Sequence, residues 1–282
     1  MGCPRPVSGA RFGTDPAGNA AAKRDRALCI VPQVKRSTFL QDSLEAAVRA
    51  FNRNPWTREL QLVERAASAG HPVYDEDGLR TAHSHHFLHD PGFANAYRRA
   101  IQAGGFDYGI RWRTHTILWA ARTAARLDGA FVECGTAKGF MASAVCEHLD
   151  WTDRSFYLFD TYEPADSSTE APFYAADGPE PVAGNFREWP GVQLVVGRIP
   201  ETLQDITIDR VAFLHIDMNS PAPEAAAVRH LWPLLVPGGL MIFDDYGFGP
   251  YEASRDSADR LADELGFTVL ACPTGQGVVV KT

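Results

Sequence analysis

Three aspartates stand where an open sheet would offer them to a ligand. Asp217 follows the apolar run Val211 to Ile216, and Asp244-Asp245 follow Leu240-Met241-Ile242-Phe243. All three therefore fall at the carboxyl ends of two strands expected to be neighbours, the end at which α/β sheets bind ligands. Carboxylates that converge repel unless protons or a cation compensate, and hard divalent ions such as Mg²⁺ take carboxylate oxygens, with water or substrate oxygens completing the shell. The competing reading is that one acid caps a helix and another pairs with an arginine.

Two features upstream suggest a nucleoside. In Phe131-Val132-Glu133-Cys134-Gly135-Thr136-Ala137-Lys138-Gly139 a strand turns into a helix. Glycines at such a turn let the backbone N–H groups around Gly135, Thr136 and Gly139 approach a ligand, and a helix N-terminus favours negative charge. Ala137 replaces the middle glycine of the dinucleotide fingerprint and Lys138 and Phe140 are large, which disfavours a tightly held pyrophosphate; a plain tight turn remains open. Asp160, 25 residues after Gly135, ends the next strand. Its carboxylate offers two acceptors for ribose hydroxyls, the alternative being a solvated loop acid or helix cap.

Other candidates weigh less. His83, His85, His86 and His89 cluster in a polar stretch, with His85 and His89 one helical turn apart, but no cysteine or carboxylate pattern completes a zinc shell. His215, two residues before Asp217 on a buried strand, reads as a core histidine with a hydrogen-bond partner rather than a base. Trp112 and Arg113 open a helix, where packing competes with an arginine facing a cofactor carboxylate.

The elements that must position these residues follow from periodicity. Residues 1–36 carry Gly, Pro, Ala and Arg with few large apolar groups and read as a flexible tail. Helical spacing follows at Phe39, Leu40, Leu44, Val48 and Phe51, then near residues 57–67, 93–103 and 112–127, making 37–128 a helical region that serves as a cap or an oligomerisation element. After Gly129, apolar runs at 130–134, 155–159, 192–196, 211–216, 239–243, 267–271 and 277–280 alternate with helical stretches, the pattern of a mainly parallel α/β sheet. The turn Pro273 to Gln276 is too short for a parallel crossover, so the last two strands should pair antiparallel. The Pro-rich connection 161–190 is either a substrate-covering loop or a surface excursion.

Composition bounds the function. A chain of 282 residues, 45% apolar and 22% charged, has the makeup of a folded protein. It has no apolar run of bilayer-spanning length and no secretory signal pattern, which makes a cytoplasmic, non-membrane protein the expectation. Five scattered cysteines show no C-x-x-C spacing and read as reduced thiols. The net charge is −8; residues 1–36 hold +5 (seven Lys/Arg less two Asp), leaving −13 for the rest, and an acidic body argues against a nucleic-acid partner.

Val132-Glu133-Cys134-Gly135, Tyr157 to Thr161, Val196 to Leu203, His215-Ile216-Asp217, Pro237-Gly238-Gly239 and Asp244-Asp245-Tyr246-Gly247 come in an order and at spacings that constitute a specific pattern. From about Arg111 to the C-terminus the chain resembles the class I S-adenosylmethionine-dependent O-methyltransferases of the macrocin and mycinamicin sugar-methylating type. The resemblance implies a Rossmann-like sheet of seven strands, mainly parallel with an antiparallel last strand, in a cofactor-binding domain at 129–282. It implies S-adenosylmethionine contacts at Glu133, Gly135, Thr136, Gly139 and Asp160, with Gly197 and Arg198 near the adenine. It further implies Mg²⁺ on Asp217, Asp244 and Asp245, and a glycoside or polyol acceptor in natural-product (antibiotic) biosynthesis, with a homo-oligomer admissible. Asp217 is the expected catalytic residue. Met218-Asn219 departs from the family, which commonly carries an acid and a tyrosine there. A nicotinamide-dependent oxidoreductase and a non-catalytic nucleoside-binding module are the alternatives.

Overall fold

Strands buried on both faces need apolar side chains at every position rather than at alternate ones. Val211–Ile216 and Leu240–Phe243 have that character, and the computed structural model places both in the middle of a seven-stranded sheet. Residues 55–70, 73–152, 154–163 and 177–282 are described. Two compact units divide the chain, Met1–Thr57 and Arg58–Thr282. Of the first only residues 55–57 are described, so the expected tail 1–36 and the helix spanning Phe39 to Phe51 lie outside the described residues.

The elements run α1 (Pro55–Ser68), β1 (Tyr74–Glu76), β2 (Leu79–Thr81), α2 (Pro91–Gly104), α3 (Arg111–Ala124), β3 (Ala130–Cys134), α4 (Phe140–Leu149), β4 (Phe156–Asp160) and α5 (Pro179–Asn185). They continue with β5 (Val192–Val196), β6 (Val211–Ile216), α6 (Pro221–Leu231), β7 (Leu235–Phe243), α7 (Glu252–Leu265), β8 (Leu270–Ala271) and β9 (Gly277–Val280). The sheet order is β5-β4-β3-β6-β7-β9-β8, parallel from β5 to β7, with β9 antiparallel to both its neighbours. The seven-stranded, mainly parallel arrangement with its antiparallel last strand is the one expected from the sequence.

Period two sends successive side chains to opposite faces. Phe131, Phe213, Leu240 and Ile242 join Ile117, Leu118, Ala121 and Val145 of α3 and α4 in one core. Val132, Leu214, Ile216 and Met241 join Val228, Leu231 and Leu261 of α6 and α7 in the other. Helix α2 starts where Asp90 accepts the Phe93 N–H at 2.9 Å, with Pro91 at its first turn, and ends at Gly105 in a left-handed conformation. Gly266, in a left-handed conformation, stops α7, its N–H donating to the Ala262 carbonyl at 2.9 Å.

Three expectations need correction. The 267–271 run supplies only the two-residue edge strand β8, and β7 starts at Leu235, earlier than 239. The stretch 74–81, inside the region 37–128 expected to be helical, is a β1–β2 hairpin turning on Asp77-Gly78, both at positive φ (+52° and +70°). That is the requirement of a two-residue type I′ turn, which an Asp-Gly pair meets. The 161–190 connection contains helix α5, while its residues 164–176 lie outside the described residues.

Candidate functional site

Parallel register sets the site's floor. Glu133 of β3 lies beside His215 of β6, and His215 beside Ile242 of β7. Past these positions the strand ends are linked in ladder fashion: Gly135 N–H to the Phe159 carbonyl (2.8 Å), Asp217 N–H to the Cys134 carbonyl (2.8 Å), and Asp244 N–H to the Ile216 carbonyl (2.9 Å). Glu133, Gly135, Asp160, Asp217 and Asp244 are thus brought to one edge of the sheet.

The turn after β3 leaves the chain close to its neighbour. Gly135 has φ +93°, and a Cβ there would sit 1.8 Å from the Asp217 carbonyl oxygen. Only glycine fits. Ala137 and Gly139 also adopt positive φ, +48° and +86°, and a Cβ on Gly139 would meet the Phe186 ring at 2.7 Å. Within this turn Glu133 Oε2 and Thr136 Oγ1 are buried without a hydrogen-bond partner among the described residues. Buried polar atoms are rarely left so, which marks a place for a ligand's donors. The cradle and the two orphaned oxygens fit the ammonium group of S-adenosylmethionine, whose N–H donors they can accept.

Asp160 has more to do than expected. Its Oδ2 accepts the Ala137 N–H and its Oδ1 the Tyr162 N–H, both at 2.8 Å, so the carboxylate ties the β3 turn to the β4 loop while keeping lone pairs for a ribose. Gly197, at φ +137°, follows the half-exposed Val196 at the end of β5, where an apolar surface for a base is available. Arg198 extends into solvent and pairs with Glu163 at 2.7 Å.

The acids form a chain of charges. His215 Nδ1 lies 2.8 Å from Glu133 Oε1, and His215 Nε2 lies 3.5 Å from Asp244 Oδ1. Burial opposes protonation of this ring, but Asp244 and Glu133 outweigh it and push its pKa up to about 10. This direction favours the protonated ring, in keeping with a histidine that bridges two carboxylates rather than one that serves as a base. Asp244 is held far below the usual carboxylate range: burial opposes this, and His215, Arg113 and the Gln276 amide (2.7 Å) overcome it. Asp245 moves the other way, to about 6, through burial and the neighbouring Asp244 charge.

Asp217 has no hydrogen-bond donor on its side chain among the described residues. Burial and the charge of Asp244 raise its pKa well above the ordinary value, against the smaller opposing effect of His215. Ligand atoms of His215, Asp217 and Asp244 all lie within 4.8 Å of one another. Two of the three residues expected to hold Mg²⁺ are brought together there, while Asp245 turns its Oδ1 toward Arg113. The oxygen ligands that Asp217 and Asp244 bring together, with no donor on the Asp217 side chain among the described residues, fit a hard divalent cation.

Arg113 was the residue whose role the sequence left undecided. It faces the acids, not a cofactor carboxylate: its Nη1 donates to Asp244 Oδ2 (2.8 Å) and Asp245 Oδ1 (3.0 Å), and its Nε to Asp77 Oδ2 (2.7 Å) at the hairpin turn. A signal for this existed. Arg113 shares its helix face with Ile117 and Ala121, which are fully buried, and a charge on a buried face requires a partner.

The histidine-rich stretch gathers no metal shell. His86–His89 form a single 3₁₀ turn, and His83, His85, His86 and His89 line an open cavity of about 360 Å³ with Ala66, Ala82 and Ser84. Among the described residues, only His215, Asp217 and Asp244 form a cluster able to hold a metal. No helix among the described residues is long and apolar enough to cross a membrane.

No curated protein sequence matches the chain. Among solved structures, the O-methyltransferase NovP is similar over 66% of this chain and 89% of its own, at 20% identity and a TM-score of 0.53, a likeness of fold. The calicheamicin methyltransferase CalS11 aligns over 93% of this chain and 99% of its own, at 14% identity and a TM-score of 0.49. TomG from Streptomyces achromogenes, an O-methyltransferase of tomaymycin synthesis solved with SAM, aligns over 68% and 91%, at 16% identity and a TM-score of 0.46. Residues 132–246, from β3 through the glycine turn and Asp160 to the acids after β6 and β7, match the family model described as a methyltransferase domain.

Proposed function

We propose that the protein is an S-adenosylmethionine-dependent O-methyltransferase whose acceptor is a hydroxyl of a glycoside or other polyhydroxylated natural product, with Mg²⁺ held by Asp217, Asp244 and Asp245. The observation that carries this reading is the backbone contact of Gly135 with Asp217, which sets the cofactor turn directly against the acids. The methyltransferase-domain match over residues 132–246 supports it. The likeness of fold to the O-methyltransferase NovP is consistent with it.

Methyl transfer from a sulfonium is an in-line displacement, so the protein's main task is alignment of donor and acceptor oxygen. The glycine turn and Glu133 would hold the amino-acid end of the donor, and Asp160 with Gly197 and Arg198 the nucleoside. Asp217, whose carboxyl is made more basic than usual by burial and the neighbouring Asp244 charge, is suited to accept the proton from the acceptor hydroxyl. His215, set between Glu133 and Asp244, would lessen the repulsion of those two carboxylates when its ring carries a proton. A bound divalent cation supplies Lewis-acid polarisation and orientation of neighbouring hydroxyls.

Calorimetry with S-adenosylmethionine, S-adenosylhomocysteine and NAD tests the cofactor class: the first two should bind and NAD should not. Binding of NAD alone would overturn the reading in favour of hydride transfer. Methyl transfer to a panel of diol-containing glycosides should cease on exhaustive chelation and return with Mg²⁺. Transfer that survives chelation removes the metal from the proposal and leaves the cofactor.

A further inference from the structure

We propose that Arg113 is a built-in rival of the divalent cation, and that Arg113 together with Asp77 sets how tightly the acids hold metal. The inference rests on the metal-binding part of the reading above and adds to it a determinant outside the expected ligand set. The guanidinium already engages two of the three carboxylates expected to ligate, at Asp244 Oδ2 and Asp245 Oδ1, and its Nη1 also lies 3.1 Å from the Asp244 carbonyl oxygen. One nitrogen with two hydrogens thus faces three acceptors. Its side chain is only 6% exposed, and the Phe248 ring lies over the guanidinium, 5.0 Å from the carbon to the ring centroid.

A positive charge held this close and this dry is poorly screened. Any cation entering between Asp217 and Asp244 meets repulsion from Arg113 and must share the Asp244 carboxylate with it. Asp77 pulls the other way. Fixed by the type I′ turn of the β1–β2 hairpin, it accepts from the Nε side at 2.7 Å and draws part of the guanidinium charge away from Asp244 and Asp245. Arg113 is a positioning residue on this account, acting through the acids and not on the substrate.

The test is a Mn²⁺ titration of the full chain, followed by electron paramagnetic resonance of the free ion, without cofactor or acceptor. Arg113→Gln should bind Mn²⁺ about tenfold more tightly than the parent, on the order of 1.4 kcal/mol. Asp77→Asn should bind it more weakly. Melting temperature gives a second reading: Mn²⁺ should raise that of Arg113→Gln by more than it raises that of the parent. If the parent binds Mn²⁺ and Arg113→Gln binds it equally or less well, Arg113 is a clamp only and the proposal fails alone. If neither binds Mn²⁺ while both bind S-adenosylmethionine, the metal reading fails with it. Should Arg113→Gln fold only when Mn²⁺ is present, the proposal is supported. Should it fail to fold under either condition, Asp77→Asn decides, and unchanged or tighter binding there overturns the proposal.

Discussion

Asp160 shows how one side chain joins two segments before any ligand arrives. Its oxygens accept N–H groups from Ala137 and Tyr162, so Asp160→Asn turns an amide donor toward one of them. The expected cost is about 1–3 kcal/mol of stability from the unpaired group, together with weaker S-adenosylmethionine binding, both measurable by denaturation and calorimetry. Asp217→Asn separates folding from chemistry. It removes a half-buried carboxylate with no donor among the described residues, so stability should hold or rise while methyl transfer at neutral pH falls by roughly 10²-fold or more. Activity near the parent level would end the proposed role. Glu133, Asp217 and the Asp244-Asp245 pair were legible because each follows an apolar run, and a run's end is a position in the sheet. Arg113 was not, because its partners Asp244 and Asp245 lie 131 and 132 residues away and only the fold brings them near.

At the scale of elements, the boundary between α2 and α3 carries a pH dependence of its own. His115 stacks on Phe87 with ring centroids 4.0 Å apart, and Phe93 and Trp112 pack around the same ring. Burial, with a smaller effect of His148, lowers its pKa below the ordinary value of 6.5. A histidine depressed in the folded state contributes stability that is present above the unfolded pKa and is lost as pH falls, because the unfolded chain binds the proton more readily. The raised carboxyls of Asp217 and Asp245 act in the opposite sense, so the His115 share is read by difference: between pH 7 and pH 5 the urea midpoint of the parent should fall more, or rise less, than that of His115→Phe. The β3–α4 turn makes a sharper demand. Gly135→Ala should cost more than about 2 kcal/mol or prevent folding, since steric conflict and a disfavoured φ act together; a near-parental melting temperature would contradict the close contact. Long helices and central strands could be read from periodicity. The β1–β2 hairpin could not, since its strands are three residues long and mostly polar, and only Asp77-Gly78 marked it.

For the whole molecule, a sheet covered on both faces concentrates its stability in the central strands. Phe131 is fully buried and touches the rings of Trp151, Phe156 and Phe213. Phe131→Ala should lower unfolding free energy by about 3–5 kcal/mol, seen as a shift of the denaturant midpoint with little change in its slope. The antiparallel pairing of β8 with β9 was legible because their connection is too short for a parallel crossover; the full order of the strands was not, since spacing along the chain does not say which strands lie side by side. Strand order places Glu133, His215 and the Asp244 end side by side on β3, β6 and β7. What the sequence left open was how the negative charge there is balanced, since that depends on which cations the fold buries beside it.

The main-chain contact between Gly135 and Asp217 has a consequence for how such a protein could diversify. Donor cradle and acid strand share a backbone seam with no side chain between them, so neither can shift without dragging the other. On the proposed reading, the span between donor and acceptor is then set by main chain, and substitutions of neighbouring side chains leave it unchanged.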